Sequence, residues 1–379
     1  MKKNLDDILN IFYIFAIYNN INITYRKGLN MFNFYSYKND IFKTSINPWK
    51  VQVSSIVQNI NVVDSTSVEQ IVSEMKKHSK EIHMKKTSIP NVFSFNFSRD
   101  VFFKGNWSEL SKIARGLFIN TTTNEIVARG YDKFFNFEEK KFNTVKWLEE
   151  NIKYPVYAYE KYNGFLGMLG YDSMSDSLIF CSKSSTSSDF SGWFKEIFNS
   201  YWKGNESDLK TLLRNENLCL IFEVIDPVND PHIIKYDKKE VVMIGAVKRT
   251  VQFTPLTYNE QCSIAEKFNF KIKKQAAKIE NFQDLKEFLI NESNSNVEHE
   301  GFVFEDSNNY MFKLKNHFYK FWKNLRSVKT RIANGHNVPL GWCKDALGTE
   351  FIGWCKKQDR TYLFETSIIE LREKFLISR

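Results

Sequence analysis

Short apolar runs bounded by polar turns recur through the middle of this chain, and their order restricts the fold more than any other feature. Residues 116–119 and 125–129 flank the polar turn 121–124 and read as a hairpin. Strands follow at 156–160, 165–171 and 178–182, a succession that reads as a meander, and resume at 218–225, 233–236 and 241–248. A closing hairpin has arms at 301–305 and 310–314 around the polar turn 306–309. Between these runs Phe190, Trp193, Phe194, Ile197, Phe198, Tyr201 and Trp202 repeat at helical steps, which predicts a helix covering one sheet face with an aromatic core stripe. Two more helical stretches span about 258–274 and 282–291. Strands and helices in so uneven an order predict an α+β domain with an antiparallel sheet, not a doubly wound parallel one.

The flanks differ from this middle. Residues 1–95 mix short aromatic strands with a charged helix over 68–80 and hold no motif that carries chemistry. Beyond Lys315 the pattern is helical at 318–332, 343–356 and 367–375, with a loop over 335–339, so a small all-α appendage is expected. The expected organisation is therefore an N-terminal extension packed on the core (1–95), a central domain (96–316) and a helical domain (317–379). Lys2 and Lys3 before the apolar run 9–18 imitate a secretory signal. Asp6 and Asp7, the lack of a small-residue cleavage site and a length short of the roughly 20 residues a bilayer requires argue against it. Leu5, Ile8, Leu9, Phe12 and Phe15 read instead as a helix docked on a core, and no membrane partner is expected.

Composition adds little discrimination. The 42% hydrophobic and 16% aromatic content can fill a sizeable core, and the formal charge of +9 favours a polyanionic partner. The same charge also follows from the Lys, Asn, Ile and Phe bias of an AT-rich genome. The five cysteines are odd in number and form no C-x-x-C pair, so neither a disulfide frame nor a zinc site is expected, and a reducing cytoplasmic setting, or a nuclear one in a eukaryote, fits. His78 and His83 lie in a Lys-rich stretch and read as a solvated helix face.

Chemistry enters with charged residues placed at strand ends among apolar neighbours, where an unanswered charge is expensive. They are Lys161, Lys183, Glu223, Glu300, Lys313 and Lys315. Each alone reads as a solvated loop or surface charge. Together they present K-x-N-G, S-K-S, F-E-V, E-G-F-V and K-L-K in a fixed order. That order resembles the covalent nucleotidyltransferases, and within them the phage-type RNA ligases and the adenylyltransferase domain of fungal tRNA ligases. An upstream block strengthens the likeness: Ala114-Arg115-Gly116-Leu117-Phe118-Ile119, then Arg129-Gly130-Tyr131-Asp132-Lys133-Phe134-Phe135-Asn136. DNA ligases and capping enzymes share the lysine motif but generally not this block.

The resemblance implies an antiparallel-sheet nucleotidyltransferase core, ATP-grasp-like as in DNA and RNA ligases, that uses ATP and Mg2+ (or Mn2+). Lys161 is the candidate nucleophile; a lysine attacking the α-phosphate must be neutral at that moment, which nearby cations or a metal favour. Lys313 and Lys315 lie two apart on one strand and share a face, where they can offset charge growing on phosphate oxygens. Glu223 and Glu300 offer the hard oxygens that magnesium or its waters prefer. By resemblance Glu223 also contacts the ribose hydroxyls, Arg115 and Lys133 hold the phosphates, Lys183 helps in the same pocket, and Glu160, Asn163 and Gly164 complete the nucleotide-binding set. Gly164 is expected to let the backbone approach a nucleotide closely. The implied reaction has three steps: Lys161 takes AMP and releases pyrophosphate, the AMP passes to an RNA 5′-phosphate, and a 3′-hydroxyl displaces it. RNA with those two ends is the expected partner, tRNA being one candidate. A site of lysines and carboxylates leaves His232 and His299 incidental.

Many relatives carry Asp where this chain has Asn163, which leaves metal affinity open. No G-x-x-x-x-G-K-[ST] occurs, and none of the six histidines opens H-x-S or H-x-T. The expectation is that a separate kinase, phosphatase or phosphodiesterase prepares the RNA ends. Two rival readings stand beside a ligase: another covalent nucleotidyltransferase, either a DNA ligase or a GTP-using capping enzyme, and an RNA-binding module that has lost catalysis. Intact Lys161, Glu223, Glu300, Lys313 and Lys315 speak against the last. Lys320, Lys323, Arg326, Lys329 and Arg331 read equally as a grip for tRNA or as a solvated basic helix.

Overall fold

The computed structural model describes residues 67–139 and 143–379, so the helix and strands expected before residue 67 lie outside the described residues. Helix α1 (Val68–Lys77) starts where the Ser67 hydroxyl accepts the Gln70 amide and the Gln70 side chain accepts that of Ser67, a capping box. It buries Ile71, Val72 and Met75. Strands β1 (Ile82–Lys86), β2 (Val92–Phe97), β3 (Leu117–Asn120) and β4 (Glu125–Arg129) form an antiparallel four-stranded sheet in that order, with α2 (Arg99–Lys104) and α3 (Glu109–Ile113) between β2 and β3. The expected hairpin is β3–β4. The position between residues 95 and 96 falls inside β2, so this sheet draws on both sides of it. His78 ends α1 and His83 lies on β1, both exposed; the single helix face expected for them is broken by the end of α1.

The chain continues as β5 (Phe135–Asn136), α4 (Val145–Asn151), β6 (Val156–Glu160), β7 (Phe165–Asp172), β8 (Ser177–Ser182), α5 (Asp189–Tyr201), α6 (Glu206–Asn215), β9 (Leu218–Ile225) and β10 (Glu240–Lys248). Then come α7 (Tyr258–Phe268), β11 (Lys271–Ile272), β12 (Gln275–Ile279), α8 (Phe282–Ser293), β13 (Gly301–Glu305) and β14 (Met311–Lys315). These strands make two five-stranded sheets, β11-β10-β9-β7-β8 and β12-β6-β13-β14-β5. Pairing is antiparallel except at two short edges, where β11 runs parallel to β10 and β5 parallel to β14.

Three expectations are corrected here. The supposed meander is not one, because β6 pairs with β13 and β12 while β7 pairs with β9, so residues 161–164 cross from one sheet to the other. Residues 233–236 form no strand; the amides of Ile233 and Ile234 donate to the Asn163 side chain in place of a ladder. The helix expected to reach residue 274 ends at Phe268, since Asn269 adopts a left-handed backbone (φ +53°) and terminates it.

Phe190 and Tyr201 at the ends of the α5 stripe are exposed, whereas its middle is core, Phe194, Ile197 and Phe198 packing with Leu169, Leu220, Phe222 and Met243. Each such side chain contributes about 1.5–3 kcal/mol of burial. In the other large sheet Phe304 stacks on Phe312 with centroids 4.7 Å apart. A cluster containing Phe118, Val127, Met168, Ile221 and Met311 joins all three sheets. At the C-terminus α9 (His317–Ala333), a 3-10 turn (Leu340–Trp342), α10 (Ala346–Cys355), α11 (Arg360–Glu365) and α12 (Ile368–Ile377) form the expected helical appendage. Its core takes in Ile233 and Ile234, which ties it to the β9–β10 connection. No helix among the described residues is long and apolar enough to cross a membrane.

Candidate active site

Strand register assembles the site. Gly301 pairs with Lys315 across β13 and β14, Phe302 pairs with Glu160 across β13 and β6, and the Lys161 amide donates to the Gly301 carbonyl at 2.9 Å. Lys161, Glu300 and Lys315 therefore meet at one end of three adjacent strands. Glycine is required at 301: its φ is +128°, and a Cβ there would lie 2.1 Å from the Leu314 carbonyl oxygen.

Glu300 is the hub. Its Oε1 lies 3.1 Å from Lys161 Nζ and 2.8 Å from Lys315 Nζ, and its Oε2 accepts from Asn163 Nδ2 at 2.8 Å. Burial alone would raise the pKa of this carboxyl, but the charges of Lys161 and Lys315 outweigh it and pull it down to about 2. Lys315 also donates to the Tyr319 hydroxyl at 3.3 Å, with its ammonium 4.3 Å from the ring centroid.

Asn163 is buried and fully engaged. Its Oδ1 accepts the amides of Ile233 at 3.0 Å and Ile234 at 3.2 Å, and its own amide donates to the Tyr236 hydroxyl at 2.9 Å. Gly164 donates to Glu223 Oε1 at 2.9 Å, and a Cβ at 164 would sit 2.0 Å from the Val224 carbonyl oxygen. The glycine is thus demanded by strand β9, a different reason from the room for a nucleotide that its motif suggests. Burial raises the Glu223 carboxyl, with Lys161 opposing and Glu300 adding to the shift.

A cavity of about 610 Å³ lies over these groups, lined by Arg115, Glu160, Lys161, Asn163, Gly164, Lys183, Glu223, Glu300, Lys313 and Lys315. Every residue singled out from the sequence lines it save one. Lys133 is not part of the lining; its ammonium donates to the Phe134 carbonyl at 3.0 Å and lies 3.8 Å from the Phe135 ring centroid, where its charge still bears on Lys313. Glu160 lines the cavity with its carboxylate held by Lys274 at 2.7 Å. Lys313 is pushed well below the usual lysine range by burial first, then by Lys133, Lys161, Arg115 and Lys315. Burial likewise lowers Arg115, against the pull of Glu223 and Asp132, and lowers Lys183, with Arg115 adding to the effect. A cavity that desolvates several cations at once is built to receive a polyanion.

Tyr319 and Lys273 line the cavity without a sequence signal, whereas Lys323 and Arg326 belong to the basic helix read equally as a grip for tRNA or a solvated face. Tyr319, Lys323 and Arg326 arrive from α9, and Lys273 from the β11–β12 link. His232, set aside as incidental, lines the cavity with Nε2 2.7 Å from Asp230 Oδ2, whereas His299 Nε2 contacts Glu292 at 3.2 Å and lies outside the lining. Only the fold joins these positions to Lys161. The basic helix divides by role: Lys323 and Arg326 face the cavity, while Lys329 is buried and donates to the Thr366 carbonyl at 2.8 Å, a structural cap on α11.

Comparison with known proteins agrees with the geometry. The sequence profile of a family described as RNA ligase matches residues 113–321. The chain is 26% identical over 304 residues to tRNA ligase 1 of Schizosaccharomyces pombe, covering 70% of this chain and 38% of that protein. It is 27% identical over 268 residues to the tRNA ligase of Candida albicans, covering 59% and 32%. The chain thus spans less than two fifths of either protein's length. An archaeal ATP-dependent RNA ligase solved in two forms superimposes with a TM-score of 0.51 in each, at 12% and 13% identity, over 87% and 88% of this chain and 77% and 82% of the other. At such identity the likeness is one of fold.

Proposed function

The chain belongs to the RNA ligase family, and from that membership we propose that it seals RNA ends at the expense of ATP, with Lys161 as the residue that carries AMP. The observation that carries the reading is the Glu300 carboxylate holding both Lys161 and Lys315 at the floor of a cation-lined cavity. Lys161 Nζ attacks the α-phosphorus, a phosphoramidate bond forms, pyrophosphate leaves, and the displaced N–H proton is lost. The AMP then passes to a 5′-phosphate, and a 3′-hydroxyl expels it as the new phosphodiester forms. Arg115, Lys183, Lys313 and Lys315 would neutralise the phosphate oxygens during each displacement. Glu160, Asn163 and Gly164 would frame the nucleotide, and Lys133 would reach it only by moving off the Phe135 ring.

A divalent ion fits this reading in a limited way. Glu223 lines the cavity and spends Oε1 on the Gly164 amide, whereas both Glu300 oxygens are already taken by ammonium and amide groups. No group of three or more acidic, histidine or cysteine side chains able to hold a metal occurs among the described residues. Magnesium or manganese would therefore rest chiefly on Glu223, with Glu300 beside it, and take its remaining ligands from water and phosphate, as magnesium commonly does. Its chemistry there would be to neutralise triphosphate charge.

In this reading residues 96–316 are the adenylyl-transferring unit and 317–379 a helical appendage that adds Tyr319 to its wall. The natural substrate would be RNA with a 5′-phosphate and a 3′-hydroxyl, tRNA among the candidates, with ends prepared by another protein. Incubation with α-labelled ATP or GTP followed by denaturation tests the nucleotide. A sealing assay with RNA and DNA ends tests the strand: label from ATP together with joining of RNA supports the proposal, while label from GTP or joining of DNA alone refutes it.

A further inference from the structure

Beside the cavity, five aromatic rings touch in succession. Phe103 meets Phe102 edge-on at 5.4 Å between centroids, Phe102 stacks on Phe97 at 6.3 Å, Phe97 meets Trp107 at 4.8 Å, and Trp107 meets Phe135 at 5.7 Å. Helix α2 carries two of these rings out into solvent: Phe102 is 55% and Phe103 78% exposed. Its own packing does not need them, since Val101 is the residue it buries. Adjacent exposed phenyl rings joined to a continuous aromatic row are unlike singly scattered apolar residues, which need no explanation.

Cations cover the inner rings of the row, and one of them joins it to the cavity wall. Lys183, which lines the cavity, places Nζ 4.4 Å from the Phe97 centroid, and Lys133 places its ammonium 5.1 Å from that of Trp107. The neighbouring carboxylates are neutralised, Asp100 by Lys104 at 2.7 Å and Glu109 by Lys112 at 2.6 Å. Exposed rings at one end, with ammonium groups over the inner rings on the side of a phosphate-binding cavity, are the combination that grips unpaired nucleotides: bases stack on the rings and the backbone follows the charge.

We propose that the row from Phe103 to Phe97 is a docking ledge for the single-stranded RNA next to the reacting end, a proposal that rests on the ligase reading for what the cavity does. Double-stranded RNA is a poor occupant, because its bases are stacked on one another and cannot lie on the rings. A partner protein is the other candidate occupant, and the ammonium groups over the inner rings, with Lys183 shared by the row and the cavity, favour RNA over it.

The test measures binding of a 5′-phosphorylated oligouridylate to the full-length protein, as wild type and as the Phe102→Ala/Phe103→Ala double variant, over a salt series. Neither phenylalanine lines the cavity, and formation of the AMP adduct from labelled ATP is followed in parallel. The expected result is a loss of roughly tenfold or more in single-strand affinity. The slope of affinity against salt should be unchanged, since no phosphate contact is removed, and adduct formation should be unaltered. Replacing Phe103 with Trp, which keeps a stacking face, should retain affinity. Unchanged affinity in the double variant, equal loss for the same strand annealed to its complement, or loss of adduct formation along with RNA binding overturns the ledge. Absence of an adduct in the wild type would strike the ligase reading instead, and the affinity comparison would still decide the ledge.

Discussion

Oε1 of Glu300 stands 3.1 Å from the Lys161 ammonium. The same oxygen takes Lys315 at 2.8 Å, so one buried carboxylate bridges two cations and offsets part of their mutual repulsion at the cavity floor. The consequence is a link between stability and pH.

The Glu300 carboxyl is depressed from 4.5 to about 2 on folding, so its stabilisation is fully present above about pH 5 and disappears as the pH falls through about 2. Glu300→Gln is expected to cost on the order of 3 kcal/mol near neutral pH. The gap between wild type and variant should shrink as the pH is lowered. Urea midpoints measured across that window check it; a gap that stays constant with pH would show that the ion pairs contribute nothing.

Lys313 shifts the opposite way in effect. A lysine whose folded pKa lies below its unfolded value costs stability while protonated, and that cost is relieved as the pH rises through the folded pKa. Triphosphate arriving in the cavity restores the charged form, so ATP binding should take up protons wherever the pH exceeds the depressed pKa of this lysine. Calorimetry in buffers of different ionisation enthalpy should find this uptake in wild type and a smaller one in Lys313→Met.

Asn163→Asp tests why an amide stands at this position. The Asn163 oxygen is fixed by the Ile233 and Ile234 amides, so the new carboxylate oxygen would replace Nδ2 at 2.8 Å from Glu300. Two carboxylates at that separation cannot both ionise cheaply and share a proton. Adduct formation should fall by tenfold or more, with its acid limb moved to higher pH. A wild-type pH profile in the variant would show that the amide is not needed at this position.

Gly164→Ala should act through the fold. Its Cβ would collide with the Val224 carbonyl oxygen, forcing the start of β7 away from β9, at a cost of about 1–3 kcal/mol. A lowered thermal midpoint together with lost adduct formation is expected. Lost activity at unchanged stability would place the role of this glycine with the nucleotide instead.

Lys329 and Lys323 provide an internal contrast on one helix. Lys329→Met should lower stability and leave the salt slope of RNA binding alone, because its ammonium caps α11. Lys323→Ala should reduce that slope by about one and leave stability nearly unchanged, because it faces the cavity.

The sequence made the charged constellation legible because its chemistry depends on residue types in a fixed order, and Lys161, Glu223, Glu300, Lys313 and Lys315 each lie on or next to a short apolar run. Sheet membership was not legible. Alternation tells which face of β6 or β7 is apolar but not which strand it will pair with, so the crossover at 161–164 looked like a turn within one sheet. Residues 233–236 misled for a related reason: Ile233 and Ile234 have strand propensity, yet their amides bond to a side chain seventy or more positions earlier. Tyr319 was invisible, and Lys323 was legible only as part of a basic helix, because nothing local marks which side of an amphipathic helix will close a distant cavity.

The central claim is that one amine, Lys161 Nζ, accepts adenylate in the pocket that Glu300 organises. Mass spectrometry of the protein treated with ATP and magnesium, digested and sequenced, measures it directly. An AMP-sized adduct confined to Lys161 and absent from Lys161→Ala is the predicted result. No adduct, or one mapped to a different side chain, contradicts it.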